Sequence, residues 1–443
     1  MSASDPGNRP SSLYAALALS LALVGSAAML DYHLHLFIPR VLQVRASKGL
    51  GNGFSFGDDF YPIWLTAREW RASHRDPYSS LMTRQIQTGL FGRPLDAHIP
   101  TDPPADYREF AYPAFTELIL WPASTLEFST LRLILVVVLP LVTAASVCLW
   151  LLALRWRIRP LWLVVLVVLT LCNYPVLEGI FAEQPGLIVG FLLASSALAL
   201  QRDRLLLAGM LLALTLIKPQ MTVLAAGYLL LWSLTDLRRV RFCAGFLGTT
   251  LLLAAASLWI WPHWIAQWTK VLLGYHRYAT PPLVTLLPGE TLGPYLGPAA
   301  TVGLFGLGMV FAWKNRRASA DSPGLWLTLS LLLGITSVAI LPGQAIYDHV
   351  ILIPGILIVL RYRRELSAAG RVPRALLILG SIVLVWPWLA AIALFALHSF
   401  LTPESFEHIF ALPIRTAASL PFAVLALIAC ATRVKLSENQ EPS

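Results

Sequence analysis

Apolar residues occur along this chain in runs of about twenty, separated by short polar stretches in which arginine recurs. A membrane-crossing helix needs roughly 20 mostly apolar residues. The runs at 13–36, 131–154, 161–177, 185–201, 204–217, 219–235, 242–261, 297–313, 324–341, 347–360, 375–398 and 410–432 meet or approach that length. They predict an all-α polytopic membrane protein with about twelve transmembrane helices. The runs 204–217 and 219–235 are short and meet at Lys218-Pro219, where the proline forbids one continuous straight helix. Between the first two runs lies the longest polar stretch, 37–130, too long for a simple connection.

Composition supports the same class. The 443 residues are 57% hydrophobic and 13% charged, with a mean hydropathy of +0.67, against about 25% charged residues in soluble domains. The run after the polar tail 1–12 lacks a convincing cleavage site and reads as an uncleaved first span. Cys148, Cys172, Cys243 and Cys430 all lie in apolar segments without CxxC spacing, the usage of small buried hydrophobes.

The net charge of +9 raises the question of a nucleic-acid partner, but its distribution argues against one. Basic residues cluster on alternate connections: Arg155/Arg157/Arg159, Arg202/Arg204, Arg238/Arg239/Arg241, Lys314/Arg316/Arg317, Arg361/Arg363/Arg364/Arg371/Arg374 and Arg433/Lys435. With Arg9 these are 19 of the 33 Lys and Arg, whereas the short opposite loops hold Lys218, Lys270, Arg277 and Arg415. The positive-inside bias then expects both termini, 1–12 and 433–443, in the cytoplasm of a cell-membrane protein. Varied polar residues fall on the opposite side: Asp58/Asp59, Glu178, Glu183-Gln184, Lys218, His276-Arg277, and Gln344 with Tyr347-Asp348-His349. The connection 262–296 is a second extracytoplasmic loop.

Within 37–130, Phe60, Ile63, Trp64, Ala67 and Trp70 recur at spacings of three and four, an amphipathic helix from about Asp59 to Arg75 that Asp58 or Asp59 can cap. Ser79-Ser80 can cap a second helix to Leu90, and Phe91–Tyr107 reads as irregular loop. Ala114–Trp121 is apolar but too short to span, which fits a re-entrant or interfacial piece.

Each polar residue has two readings. A carboxylate of the Asp58-Asp59 pair facing a cavity can take a proton from a hydroxyl; otherwise it is a helix cap. Lys218 at membrane depth is a functional candidate that can bind phosphate as a point charge; otherwise it snorkels to the interface. His276-Arg277 and His349 are phosphate contacts or ordinary interfacial residues. Glu178 and Glu183 are sugar ligands or helix caps. No Walker loop, GxGxxG, HExxH or Cys-His metal spacing occurs, and Asp102 to Asp106 has the wrong spacing for a nucleotide-sugar DxD motif.

These pieces occur in an order that resembles the GT-C class of integral-membrane glycosyltransferases. Within that class the chain resembles family 87 (GT87, DUF2029) of polyprenyl-phosphate-mannose-dependent mannosyltransferases. The residues are Asp59-Phe60 with Trp64 and Ala67-Arg68, then Asp76-Pro77-Tyr78, Phe110-x-Tyr112-Pro113, Gln184, Ala208-Gly209, Ile217-Lys218-Pro219, and Tyr347-Asp348-His349 with Pro354. The chain departs from the family pattern at two places. It has Glu183-Gln184 where the family often has Gly-Gln, and Tyr347-Asp348-His349-Val350 where it often has Trp-x-His-His.

The resemblance implies inverting transfer of a sugar, mannose first among candidates, from a polyprenyl-phosphate donor to an extracytoplasmic lipid or glycan acceptor. Asp59 matches the family's catalytic aspartate, with Asp58 beside it. Lys218, His276, Arg277 and His349 would hold the donor phosphate. Glu178, Glu183, Gln184, Tyr112, Asp348 and Gln344 would line the acceptor and sugar site. The lipid bilayer and the lipid-linked sugar are the expected partners, and neither a metal nor another cofactor is expected, since the cations can neutralise the phosphate. A flippase or exporter of lipid-linked sugars is the alternative, and a non-catalytic assembly subunit a third.

Overall fold

The computed structural model describes residues 9–50, 58–275, 279–286, 293–398, 400, 402 and 408–434. Among them every regular element is a helix. Six helices are long and apolar enough to cross a membrane: Leu13–Ser47, Phe128–Ala153, Val240–Ile260, Tyr295–Lys314, Arg371–Leu397 and Leu412–Ala431. A seventh crossing is available to Pro160–Leu171 with Tyr174–Phe181, which are bent by 60°. Four shorter apolar helices, Pro185–Gln201, Leu205–Ile217, Val223–Ser233 and Pro323–Ala339, lie among them.

The expected apolar runs are therefore helical, but not all are single straight helices. The run 161–177 bends at Asn173, just before Pro175. The run 219–235 opens as a 3₁₀ turn, Pro219–Met221, and becomes α-helical only at Val223, because Lys218 leaves the helical region (φ −131°, ψ 75°) ahead of a proline. The run 347–360 begins as the 3₁₀ segment Ile346–Leu352 before the Ile353–Arg361 helix. The first helix corrects the expected loop boundary at 37: it continues to Ser47 through a π-helical turn, Tyr32–Phe37. Pro39 has no N–H to give to the preceding turn, and the widened turn carries the helix past it.

Helix faces sort by what covers them. On Phe128–Ala153, Leu131, Leu135 and Leu139 are buried, while Leu133, Val137 and Leu141 are 59–73% exposed. The four-residue spacing puts one stripe on the bundle and the other where lipid tails would lie. The helices Leu205–Leu214 and Val240–Ile260 approach most closely at glycines. A Cβ on Gly209 would stand 2.1 Å from the Phe242 carbonyl oxygen, and one on Gly245 2.2 Å from that of Leu206. Such contact is the packing that small residues permit in membranes.

The bundle has two chemically different ends. At one, the alternate basic connections meet: Arg155 pairs with Asp321 at 2.8 Å, Asp321 accepts from Gln201 at 2.7 Å, and Thr235 donates to the Arg316 carbonyl. The other end carries Gln184, Lys218 and Asp348 beneath the 58–127 segment. The Pro185–Gln201 helix links the two ends; its 17 residues span about 26 Å.

Within that segment the amphipathic helix is Tyr61–Ser73 and the second is Ser80–Phe91, capped by Ser79, whose hydroxyl accepts from the Met82 N–H at 3.3 Å. The apolar piece is the short helix Phe115–Leu120, followed by a 3₁₀ turn to Thr125. The Trp264–Tyr275 helix clamps the segment from the other loop: Gln267 donates to Asp76 at 2.6 Å and Trp268 to the Ala111 carbonyl at 3.0 Å.

Candidate active site

Asp58 and Asp59 do not cap the helix that follows them. Its N-cap position is Phe60, without a side-chain cap, and both carboxylates turn to cations and amides instead. Asp59 is buried; one of its oxygens accepts from Arg108 and the other from the side-chain amide of Gln184. Asp58 accepts from Arg45 at 2.9 Å and from Arg108 at 3.3 Å. The Asp59 N–H donates to the Ala182 carbonyl at 3.2 Å, which docks the start of this segment on the turn that leads to Gln184.

Gln184 sits at the start of the Pro185–Gln201 helix but makes no capping bond. Its amide donates to Asp59 and its carbonyl oxygen accepts from Lys218 Nζ at 3.0 Å. Lys218, at the proline break, reaches both oxygens of Asp348 at 2.6 and 2.8 Å and lies 5.0 Å from the Tyr347 ring centroid. A chain of contacts thus runs Arg45–Asp58–Arg108–Asp59–Gln184–Lys218–Asp348. Gly186 makes room for it: a Cβ there would stand 2.3 Å from Asp348 Oδ1.

Arg108 and Arg45 are the residues that sequence reasoning missed. Arg108 lies in the irregular stretch and takes a left-handed backbone (φ 65°). Buried Gln87 fixes this stretch by donating to the Ala105 and Tyr107 carbonyls, at 2.9 Å each. A non-glycine residue held in that region marks local strain, which concentrates at functional sites. The only sequence signal was its place two residues before the Phe110-x-Tyr112-Pro113 motif. Arg45 was hidden by the expected end of the first helix at 36.

Electrostatics follow from this geometry. Burial works against ionisation of Asp58, but Arg108 and Arg45 outweigh it and hold its carboxyl below the usual range. Burial likewise opposes the Arg108 charge, and Asp59 and Asp58 overcome it. Glu183 stands in the left-handed region (φ 54°), buried, with one oxygen 3.1 Å from Arg132 Nε. Burial pushes its carboxyl up to about 7 against the pull of Arg132, with the Asp58 and Asp59 charges adding to the rise. Tyr112 is held protonated by burial first and then by the charge of Asp59.

The other expected site residues scatter. Glu178 points away from this chain of contacts, to His33 at 2.9 Å, within an aromatic cluster of Tyr32, Tyr174 and Phe181. His349 is buried next to Asp348 but lines a different cavity, against the Pro160–Leu171 helix. Gln344 is exposed in the turn before the 3₁₀ segment. His276 and Arg277 lie outside the described residues. Among the described residues no three His, Cys, Asp or Glu side chains converge as a metal site would require.

An apolar helical bundle with a buried acid–amide–cation network at one end defines a multi-pass membrane protein with an enzyme-like site. The sequence profile of Glycosyltransferase family 87 matches residues 110–345, and the chain belongs to that family. The matched stretch holds Phe110, Gln184 and Lys218; Asp348 lies just beyond its end, whereas Asp59 and Arg108 precede its start. No curated protein matches the chain. No solved structure matches it either.

Proposed function

We propose that this glycosyltransferase moves mannose from a polyprenyl-phosphate donor to the hydroxyl of an extracytoplasmic lipid or glycan acceptor, with inversion at the anomeric carbon. The observation that carries the reading is Asp59, a buried carboxylate tied through one amide to a buried lysine. Its oxygens each have a further lone-pair direction beyond the Arg108 and Gln184 contacts.

In the proposed reaction the acceptor oxygen bonds to the anomeric carbon while its proton passes to Asp59. The bond from that carbon to the phosphate oxygen breaks, and polyprenyl monophosphate leaves. Lys218 and Arg108 are the cations of this network that would meet the developing phosphate charge, a role worth several kcal/mol when such groups are preorganised in a dry site. Lys218 would exchange part of its hold on Asp348 for the phosphate. In this reading Tyr112 and Glu183 contact the acceptor. Membership in a transferase family leaves an exporter of lipid-linked sugars without support.

The test is transfer of radiolabelled mannose from polyprenyl-phosphate-mannose to a glycolipid resolved on thin-layer plates. Asp59→Asn is expected to lower the rate by about 10²–10⁴-fold, the usual weight of a positioned base. Full activity in that variant overturns the assignment.

A further inference from the structure

A cavity of about 910 Å³ opens beside the Pro160–Leu171 helix. Its body is apolar and lies between the first helix, Pro160–Leu171, Ile353–Arg361 and Arg371–Leu397; Ala22, Val165, Leu166 and Leu389 are typical walls. Its two ends differ. One holds His349 and Asn173; neither His349 ring nitrogen nor Asn173 Oδ1 has a hydrogen-bond partner among the described residues. The other holds Arg157, Arg159, Arg361, Arg363 and Arg364. No aspartate or glutamate lines the cavity.

We propose that this cavity is a binding site for an anionic glycerophospholipid, with the phosphate head group at the arginine end and the acyl chains in the apolar body. Charge decides the orientation. The His349 end offers one imidazole and one amide, whereas the other end offers five guanidinium groups. Among the described residues Arg157, Arg363 and Arg364 have no carboxylate partner, and Arg361 Nε is buried without a hydrogen bond. Arg361 is also anchored, donating to the Leu154 carbonyl. Guanidinium forks match phosphate oxygens in pairs, and basic pockets between membrane helices are where anionic head groups bind. Trp156 and Trp162 flank the same end, at the depth indole rings favour at a membrane interface. The arginines belong to the connections that meet at the basic end, about 26 Å along the bundle from the Asp59 network. The head-group end is therefore remote from the Asp59 network, and only the His349 end of the cavity comes near it.

The experiment uses the full-length protein, delipidated in a non-ionic detergent and followed by thermal unfolding. Titration with phosphatidylglycerol is expected to raise the midpoint by several degrees, whereas phosphatidylcholine and inorganic phosphate leave it unchanged. The exposed triple variant Arg157→Gln, Arg363→Gln, Arg364→Gln is expected to lose at least three quarters of that shift. Ala22→Trp, which keeps every arginine but fills the apolar body, is expected to lose it as well. An equal shift with phosphatidylcholine, or with inorganic phosphate alone, overturns the proposal. So does a shift that survives the arginine changes but is abolished by His349→Ala, which would place the head group at the other end.

Discussion

Asp59 and Lys218 are joined through a single amide: Gln184 donates its nitrogen to Asp59 Oδ2 and accepts from Lys218 Nζ at 3.0 Å on its oxygen. Glutamine fits this place because it carries a donor and an acceptor at one end. A carboxylate would meet Asp59 as a like charge; an apolar side chain would leave Lys218 short of one acceptor.

Gln184→Glu sets two carboxylates against each other. Asp59 loses the hydrogen bond it accepts from the amide and gains a charged neighbour, so the rate of transfer is expected to fall by at least about tenfold, the weight of one hydrogen bond to a charged group. An unchanged rate would show that the amide does not govern the base.

Asp348 and Lys218 form a buried ion pair at 2.6 Å. Removing one partner strands a buried charge, which costs about 3–5 kcal/mol. Asp348→Asn is therefore expected to lower the thermal midpoint clearly, while the double change Lys218→Met, Asp348→Leu costs less than the two single changes summed. Additive losses would mean that the two groups do not depend on each other.

Glu183 holds a left-handed backbone that favours glycine. Glu183→Gly and Glu183→Gln both delete the carboxylate that faces Arg132, but only glycine relieves the backbone. The glycine variant is expected to be more stable than the glutamine variant by roughly 1 kcal/mol. Both are expected to raise the acceptor KM alike. Stability in the opposite order would place the cost elsewhere.

Glu117 is fully buried in the short Phe115–Leu120 helix, and burial pushes its carboxyl up to about 8, with Thr66 opposing and the charge of Asp76 adding. Its unfolded value is about 4.3. The native state therefore binds more protons between these values, so its contribution to stability is complete below about pH 4.3 and is lost as pH rises through about 8. The wild-type midpoint is expected to fall more than that of Glu117→Gln between pH 5 and 8. Parallel curves would assign the slope to other groups.

The sequence by itself determined what is local. Apolar run length marked the helices, the alternation of arginine clusters sorted their connections to two ends, and Pro219 marked the break that holds Lys218. The order of short motifs singled out Asp59 as the candidate base and pointed to the family; the profile match over 110–345 bears out the family. Tertiary structure alone decided which polar groups meet. Arg108 reaches Asp59 across 49 residues, Gln184 reaches it across 125, and Lys218 reaches Asp348 across 130. No periodicity spans such separations, because hydrophobic pattern fixes a side chain's face on its own helix and not the neighbour that the face will meet. The same limit explains the residues that scattered. His349 follows Asp348 directly, yet adjacent residues on a tight helical turn point to different sides, and it lines the cavity beside the Pro160–Leu171 helix. Glu178 is six residues before Gln184 but turns to His33, because the Tyr32–Phe37 turn of the first helix packs its aromatic residues and that histidine against the Tyr174–Phe181 helix.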